Sequence, residues 1–137
     1  MSSGMEAEIQ EVIAAFYAAF DNREQRAPSA APFRALFLSD ARVTRVSADR
    51  VESWGVDDFL APRAALLTDG TLRDFHEWET NGTTTILGSI ATRESHYRKV
   101  GILNGAPYEG EGRKFLQLCR AGQRWVIVSV LWEDLSS

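Results

Sequence analysis

The sequence predicts an α+β protein in which N-terminal helices pack on an antiparallel sheet. Three observations support this fold class. Helical periodicity dominates the first third of the chain, apolar residues alternate with period two from Leu72 onward, and short turn signals separate the later segments. Helices followed by hairpin-linked strands indicate α+β rather than an alternating βαβ plan. The 137 residues predict a single domain spanning 1–137, with an ordered core at about 6–134.

The first helix is predicted over residues 6–21. Its apolar residues recur at the spacing of one helical face, and they are Ile9, Val12, Ile13, Phe16, Tyr17 and Phe20. The first turn contains Glu6 and Glu8, which favour a helix N-terminus. A polar run then leads to Pro28, where the helix cannot continue.

The next segment predicts a short helix, a hairpin and a third helix. Pro32 suits the first position of the short helix, whose apolar side is formed by Phe33, Leu36 and Phe37. A strand is expected over 41–46 and its hairpin partner over 51–54, across the turn 47–50.

The third helix is predicted to begin at Asp57 or Asp58 and to run to about Leu67, with Pro62 kinking it or delaying its start. Gly70 is expected to end it at the C′ position.

Strands fill the rest of the chain. They are predicted over 73–80, 84–100, 114–120 and 124–133, with turns at Asn81–Gly82, 104–107 and 121–123. In the strand at 84–100, Ile86, Thr92, Glu94 and His96 share one face, whereas Arg93, Ser95 and Tyr97 share the other.

The last strand is apolar on both faces. Trp125, Ile127 and Leu131 are expected on one face, and the other is formed by Val126, Val128, Val130 and Trp132. The helices can bury only one of these faces. The other apolar face needs another surface to cover it, so we expect a homodimer through the sheet. The alternative is that loops of the same chain cover Trp132 and its neighbours.

Composition narrows the classes of partner. A net charge of −4 and a pI of about 5.2 argue against a nucleic-acid or anionic-membrane surface. A single cysteine, Cys119, excludes a disulfide framework and a cysteine zinc site. The start, Met1 to Met5, does not resemble a signal peptide, and no apolar run approaches the ~18 residues of a membrane span, so we expect a cytoplasmic protein.

The candidate catalytic residues are His76, His96 and Tyr17. Histidine titrates near neutral pH, so two of them in one pocket can serve as acid and base. The alternative is that each is an ordinary strand residue. Tyr17 lies on the apolar face of the first helix, where it is either a pocket residue or core.

Three further residues are predicted to bind a ligand: Trp54, Glu77 and Glu94. Glu77 shares a strand face with Phe75 and Glu79, and these two carboxylates either perturb one another or pair with Arg73 or Arg93 across strands. Glu94 lies beside His96 and either tunes that imidazole or is solvated. No metal-binding spacing and no nucleotide-binding glycine motif is present, so neither a metal nor another cofactor is predicted.

The strand segments resemble those of the nuclear-transport-factor-2-like superfamily, and most closely its SnoaL-like groups. The resemblance is carried by FHEWE at 75–79, IATRESHY at 90–97, FLQLCR at 115–120 and GQRWVIVSVLWED at 122–134. It implies a cystatin-like cone, in which a curved antiparallel sheet and the helices enclose an apolar pocket, and it also favours a dimer.

The resemblance carries few catalytic residues over to this chain. Ketosteroid isomerase places its proton-shuttling acid in the strand after the second helix, whereas the matching stretch here, Val43 to Val46, has no carboxylate. Scytalone dehydratase uses two strand histidines with a helix Tyr and Asp, and the residue types are matched by His76, His96, Tyr17 and Asp21.

The sequence therefore predicts a protein that binds a small, largely apolar metabolite in the cone. Catalysis, if present, would be cofactor-independent acid–base chemistry of the cyclase, dehydratase or isomerase type. The alternative is a non-catalytic dimer that carries a ligand or serves assembly.

Overall fold

The computed structural model describes residues 2–135. Helices α1 (Ser2–Ala18), α2 (Ala30–Arg34) and α3 (Val56–Thr68) pack on one six-stranded sheet. Its strands are β1 (Phe37–Ser47), β2 (Arg50–Gly55), β3 (Leu72–Leu87), β4 (Ile90–Leu103), β5 (Ala106–Ala121) and β6 (Arg124–Leu135). The predicted α+β class is confirmed. None of the helices within 2–135 is long and apolar enough to cross a membrane.

The strand order is β2-β1-β6-β5-β4-β3. All neighbouring pairs are antiparallel except β1 and β6, which run parallel. The helices and the core residues cover one face of the curved sheet, here called the inner face, and leave the other, the outer face, without a covering element within the described chain.

Helix boundaries differ slightly from the prediction. Helix α1 begins before residue 6 and ends at Ala18, yet Phe20 beyond it still packs in the core. Pro32 is the third residue of α2 rather than the first, which is tolerated because the first four N–H groups of a helix have no intrahelical acceptor. Pro62 lies inside α3, which begins at Val56.

The predicted turn at Asn81–Gly82 is wrong. Both residues lie within β3, which turns into β4 only at Gly88 and Ser89. The single strand predicted at 84–100 is therefore wrong, since it is divided between the end of β3 and β4. Gly82 serves a different purpose, because a Cβ there would overlap the guanidinium of Arg93 on the adjacent strand. A bulge between Glu79 and Asn81 accommodates the local irregularity without breaking the strand.

The predicted face assignment of the last strand is also wrong in part. A bulge in β6 shifts the register, so that Ile127 pairs with Leu118 while Val130 pairs with Leu116. Ile127 and Val130 therefore both lie buried on the inner face, and Leu131 points outward. Strict alternation could not predict this, since a bulge changes the parity of the strand.

Candidate functional site

A cavity of about 360 Å³ lies between α3, the end of α1 and the inner face of the sheet. Its wall is largely aromatic and aliphatic. The apolar lining residues are Phe16, Phe20, Phe59, Pro62, Leu66, Leu67, Leu72, Phe75 and Trp132. Such a wall favours hydrocarbon surface over water, so the cavity suits an apolar molecule.

The same cavity contains six charged side chains. Four are basic and two are carboxylates, and they are Arg45, Arg63, Lys99, Lys114, Glu77 and Asp134. A buried charge is costly unless it is paired or hydrogen-bonded. The excess of positive charge therefore favours a ligand with an anionic or electron-rich oxygen group.

Lys114 and Glu77 form the most buried ion pair of the cavity. The Lys114 Nζ donates to Glu77 Oε1 at 2.9 Å, and the side chains are 6% and 12% exposed. The Nζ also lies 3.7 Å from the ring centre of Tyr97, with Tyr17 and Trp132 farther away. Burial lowers the pKa of Lys114, and the Glu77 carboxylate offsets this only in part.

A second cluster joins Lys99, Tyr97 and Asp134. The Tyr97 hydroxyl donates to the Asp134 carboxylate, and Lys99 Nζ donates to the same oxygen at 3.1 Å. Burial raises the pKa of Tyr97, and the Asp134 charge raises it further. Burial works against the charge on Lys99, but Asp134 and Tyr108 together outweigh it and raise the pKa of that amine. Lys99 is therefore held as an ammonium ion.

Two glycines of β5 make room for these side chains. Gly112 pairs with Tyr97 and Gly110 pairs with Lys99 across the β4–β5 ladder. A Cβ at Gly110 would lie 2.9 Å from Lys99 Cε, and one at Gly112 would overlap the Tyr97 hydroxyl. The glycine-rich stretch thus lets two long side chains lie flat over the strand and reach Asp134.

The two arginines of the cavity are held differently. The Arg63 guanidinium lies 4.1 Å from the ring centre of Phe59 and 5.0 Å from that of Trp54, and its Nη1 donates to the Phe59 carbonyl. Arg45 lies 3.5 Å from Asp134, and its buried Nε has no hydrogen-bond acceptor within the described chain. An acceptor atom of a bound molecule would satisfy this donor.

Tyr17 belongs to a separate buried network. Its hydroxyl lies 2.7 Å from Ser95 Oγ, and Ser95 donates to Glu79 at 2.6 Å, so Tyr17 is the donor of the first bond. Glu79 also accepts from Arg93, which reaches Gln10 on α1. Burial opposes the charge on Glu79, but Arg93 and Ser95 outweigh it and lower its pKa. Tyr17 is buried and does not line the cavity.

The two histidines lie away from the cavity. His76 alternates with the inward-facing Phe75 and Glu77, and its ring stacks on Trp78 at a centroid distance of 4.7 Å. His96 is exposed, between Asn81 of β3 and Arg113 of β5. Burial lowers the pKa of His76, with the charge of Arg23 adding to the effect. The structure does not bring the histidines together on one pocket.

Of the three predicted ligand-binding residues, one lines the cavity and two do not. Glu77 lines the cavity, as described above. Trp54 does not line the cavity. Its ring stacks on that of the lining residue Trp132 at a centroid distance of 6.0 Å. Glu94 is exposed on the outer face, opposite Thr83 and Phe115. Asp21, whose residue type matches the dehydratase pattern, is paired with Arg23 and Arg26 instead.

Solved structures similar to this one share its whole architecture. A nuclear transport factor 2-like superfamily protein from Salmonella enterica serovar Typhimurium LT2 gives a TM-score of 0.76 at 15% identity, over 100% of this chain and 95% of that one. A candidate scytalone dehydratase from Novosphingobium aromaticivorans gives 0.76 at 12% identity, over 98% and 87%. A candidate calcium/calmodulin-dependent kinase II association domain from Exiguobacterium sibiricum gives 0.75 at 10% identity, over 97% and 95%.

The chain has the nuclear-transport-factor-2-like fold. No protein-family model matches the sequence, and no curated protein sequence matches it significantly. The identities to the solved structures are low, so they show the fold alone, and the chemistry has to be argued from this chain's own residues.

Within the nuclear-transport-factor-2-like cone, sequence reasoning missed most of the charged cavity residues. Asp134 is not among the predicted site residues, yet it is half-buried and lines the cavity. A signal existed for Lys114, because it is in phase with the apolar Leu116 and Leu118 of the same strand. A lysine on an apolar strand face is an anomaly that points to a buried partner. Among the described residues, no group of three or more His, Cys, Asp and Glu side chains is arranged to hold a metal ion.

Proposed function

We propose that the protein binds a small, largely apolar molecule with an electron-rich oxygen group in the inner cavity. The observation that carries this proposal is the combination of an aromatic wall with four basic and two acidic side chains inside one cavity. Apolar surface supplies affinity, and a few convergent polar groups fix orientation. The unsatisfied Nε of Arg45 supports an acceptor atom on the ligand.

The cavity dimensions restrict the size of the molecule. A volume of about 360 Å³ lies near the lower end of the roughly 300–1,000 Å³ typical of ligand pockets. A monocyclic or bicyclic metabolite fits within this volume.

We also propose that the protein acts in the cytoplasm.

Acid–base catalysis is the catalytic form of the proposal. Glu77 and Lys114 are within hydrogen-bond distance of each other and both line the cavity, so they can exchange a proton next to a bound molecule. This would suit cofactor-independent cyclisation, dehydration or isomerisation. The catalytic roles predicted for His76, His96 and Tyr17 stay predictions, and the cavity geometry favours Glu77 and Lys114 over them.

Filling the cavity tests the binding proposal. Leu66 lines the cavity and is 39% exposed, so Leu66→Trp should fit locally and fill the space with an indole ring. Leu38 is 40% exposed and lies outside the cavity lining, so Leu38→Trp is the matched control. We expect 2-naphthoic acid and 2-naphthol to bind the unmodified protein in titration calorimetry, the acid more tightly because of the excess positive charge.

The two variants should separate the cavity from the rest of the surface. Leu66→Trp should weaken binding by about tenfold or more, whereas Leu38→Trp should leave it unchanged. Equal affinity in both variants would place the bound molecule elsewhere, and no measurable binding of either naphthalene compound would contradict the proposal.

A non-catalytic dimer is the second candidate function. The outer face of the sheet exposes several large apolar side chains, among them Leu87, Ile90, Phe115 and Leu131. Phe115 and Leu131 are direct cross-strand partners at the centre of the sheet, and Leu87 and Ile90 are partners at the β3–β4 turn. We call these four residues the outer apolar surface. A second copy of the chain, related by a two-fold axis, would cover it.

A further inference from the structure

Lysine is almost absent from this protein. Of the 15 basic residues, all but Lys99 and Lys114 are arginines. Both lysines line the cavity, and each donates a hydrogen bond to one of the two cavity carboxylates. Arginine forms buried ion pairs at least as readily as lysine, but its guanidinium does not lose a proton in proteins. The placement of the two lysines therefore points to chemistry that requires an amine.

The two amines are in different electrostatic states. Lys99 is 14% exposed and its pKa is raised, since Asp134 and Tyr108 together outweigh the effect of burial. Lys114 is 6% exposed and its pKa is lowered, since burial outweighs Glu77. Lys114 can therefore become a neutral amine more easily than Lys99, and only a neutral amine is nucleophilic.

We propose that Lys114 is a nucleophile that captures an aldehyde or ketone in the cavity as a Schiff base. This inference rests on the proposed function, because the carbonyl compound is the small apolar ligand, and it names the substrate class. Three geometric facts support it: the amine lines the cavity, a carboxylate lies 2.9 Å away to take its proton, and aromatic rings surround the nitrogen.

The reaction balances with the groups present. The Lys114 ammonium transfers a proton to the Glu77 carboxylate, and the free amine attacks the carbonyl carbon. The carbonyl π bond breaks, a C–N bond forms, and a proton moves from nitrogen to oxygen to give the carbinolamine. Glu77 then returns its proton to the hydroxyl group, which leaves as water. The product is an iminium ion beside the Glu77 carboxylate, so the charge of the pair is unchanged.

The aromatic rings around Lys114 can stabilise the positive charge of the iminium product as they stabilise that of the starting ammonium ion. Tyr97, Tyr17 and Trp132 lie 3.7, 5.2 and 5.7 Å from Lys114 Nζ. Aromatic faces attract a cation, and the iminium nitrogen retains the positive charge. The ion pair and the rings are therefore preserved when the C–N bond forms.

Reductive trapping tests the inference. The protein is incubated with 2-naphthaldehyde and sodium cyanoborohydride, which reduces an iminium ion to a stable secondary amine. Since the chain has only two lysines, peptide mapping by mass spectrometry separates Lys114, Lys99 and the N-terminal amine unambiguously. We expect Lys114 to be labelled about tenfold or more faster than Lys99.

Three variants complete the test. Lys114→Arg should abolish the cavity label, whereas Arg124→Lys, which adds an exposed lysine outside the cavity lining, should leave the labelling of Lys114 unchanged. Glu77→Gln should slow labelling of Lys114, because no carboxyl group remains to protonate the departing hydroxyl of the carbinolamine, even though loss of the carboxylate lowers the pKa of Lys114 further. The comparison of Lys114 with Lys99 in the unmodified protein does not depend on whether any variant folds.

The outcomes distinguish the two proposals. If 2-naphthol binds the cavity but Lys114 is labelled no faster than Lys99, the Schiff-base inference is wrong and the proposed binding function stands. If neither 2-naphthol nor 2-naphthoic acid binds and Lys114 is not labelled, both are wrong. Selective labelling of Lys114 together with binding of either naphthalene compound supports both.

Discussion

Glu77 and Lys114 show why a buried ion pair is informative about function. Removing two charges from water costs several kcal/mol, and their mutual attraction often does no more than repay it. Apolar residues of similar size would pack the same space at equal or lower free energy. A chain that retains this pair beside a cavity therefore keeps groups that can transfer a proton or bind a polar ligand.

Asp21 illustrates the opposite case, a carboxylate whose role is structural. It accepts from Arg23 and Arg26 at 2.7 and 2.9 Å. The hydrogen bond from Arg23 lowers the pKa of Asp21 from 3.8 to about 2. Because the folded-state pKa is the lower one, the pair stabilises the protein above about pH 4, and this contribution is lost as the pH falls towards 2.

We therefore expect Asp21→Asn to reduce the free energy of unfolding by about 1 kcal/mol at pH 7, a modest value because the arginines are solvated. Urea denaturation at pH 7, 4 and 3 checks this, and the difference between variant and parent should shrink as the pH falls. A constant difference across that range would mean that the carboxylate charge is not the cause.

At the residue scale, the site was only partly predictable from sequence. The regular alternation of β3 places Glu77 on the same face as Phe75, and both line the cavity. No local pattern points to Arg63, because its position depends on Trp54 and Trp132 from distant segments. The histidines attracted attention through their titration range, but a pKa range carries no information on which face of a strand a side chain occupies.

At the element scale, Asn22 connects three parts of the chain. Its Nδ2 donates to the carbonyls of Leu67 and Leu72 at 2.9 and 2.8 Å, and its Oδ1 accepts from the Phe75 N–H at 2.7 Å. One buried amide thus holds the end of α1, the end of α3 and the start of β3 together. These elements carry Leu67, Leu72 and Phe75 into the cavity wall.

Asn22→Ala should reduce the free energy of unfolding by about 2–4 kcal/mol, because three hydrogen bonds are lost and their buried partners are left unsatisfied. Chemical denaturation measures the loss. Asn81→Ala, at an exposed position of β3, is the matched control and should change stability little. Amide exchange should accelerate at 67–75 first, and uniform acceleration over the chain would contradict a local clamp.

The order and type of elements were predictable, whereas their irregularities were not. Helical and alternating periodicities identified α1, α3 and the C-terminal strands. The bulges in β3 and β6 were missed, because they are fixed by pairing across the sheet rather than by local sequence. Asn81–Gly82 has the sequence of a turn for the same reason, since the need for a glycine comes from the close approach of Arg93 on another strand.

At the scale of the whole molecule, the sheet has two unlike faces. The inner face carries the cavity and the buried charges, and the outer face carries the outer apolar surface. Phe115 at 53% and Leu131 at 45% exposure are adjacent across β5 and β6, in the middle strands of the sheet. Sheet centres that face water usually carry polar side chains, so these residues indicate a partner.

We expect the protein to be a dimer through this face, and Phe115→Glu to dissociate it. A glutamate at the centre of the interface would bring two like charges together across a two-fold axis, which opposes association. Sedimentation should give about twice the 15.3 kDa chain mass for the parent and one chain mass for the variant. Phe115 is half-exposed in the single chain, so the monomeric variant should remain folded by circular dichroism.

Val51→Glu provides the matched control for this experiment. Val51 is 71% exposed on the edge strand β2, outside the outer apolar surface, so a glutamate there should leave the dimer intact. A parent protein that sediments at one chain mass at all concentrations would contradict the dimer. Dissociation by Val51→Glu but not by Phe115→Glu would place the interface at the sheet edge instead. The cavity lies on the opposite face from Phe115, so 2-naphthol should bind the Phe115→Glu monomer as it binds the parent.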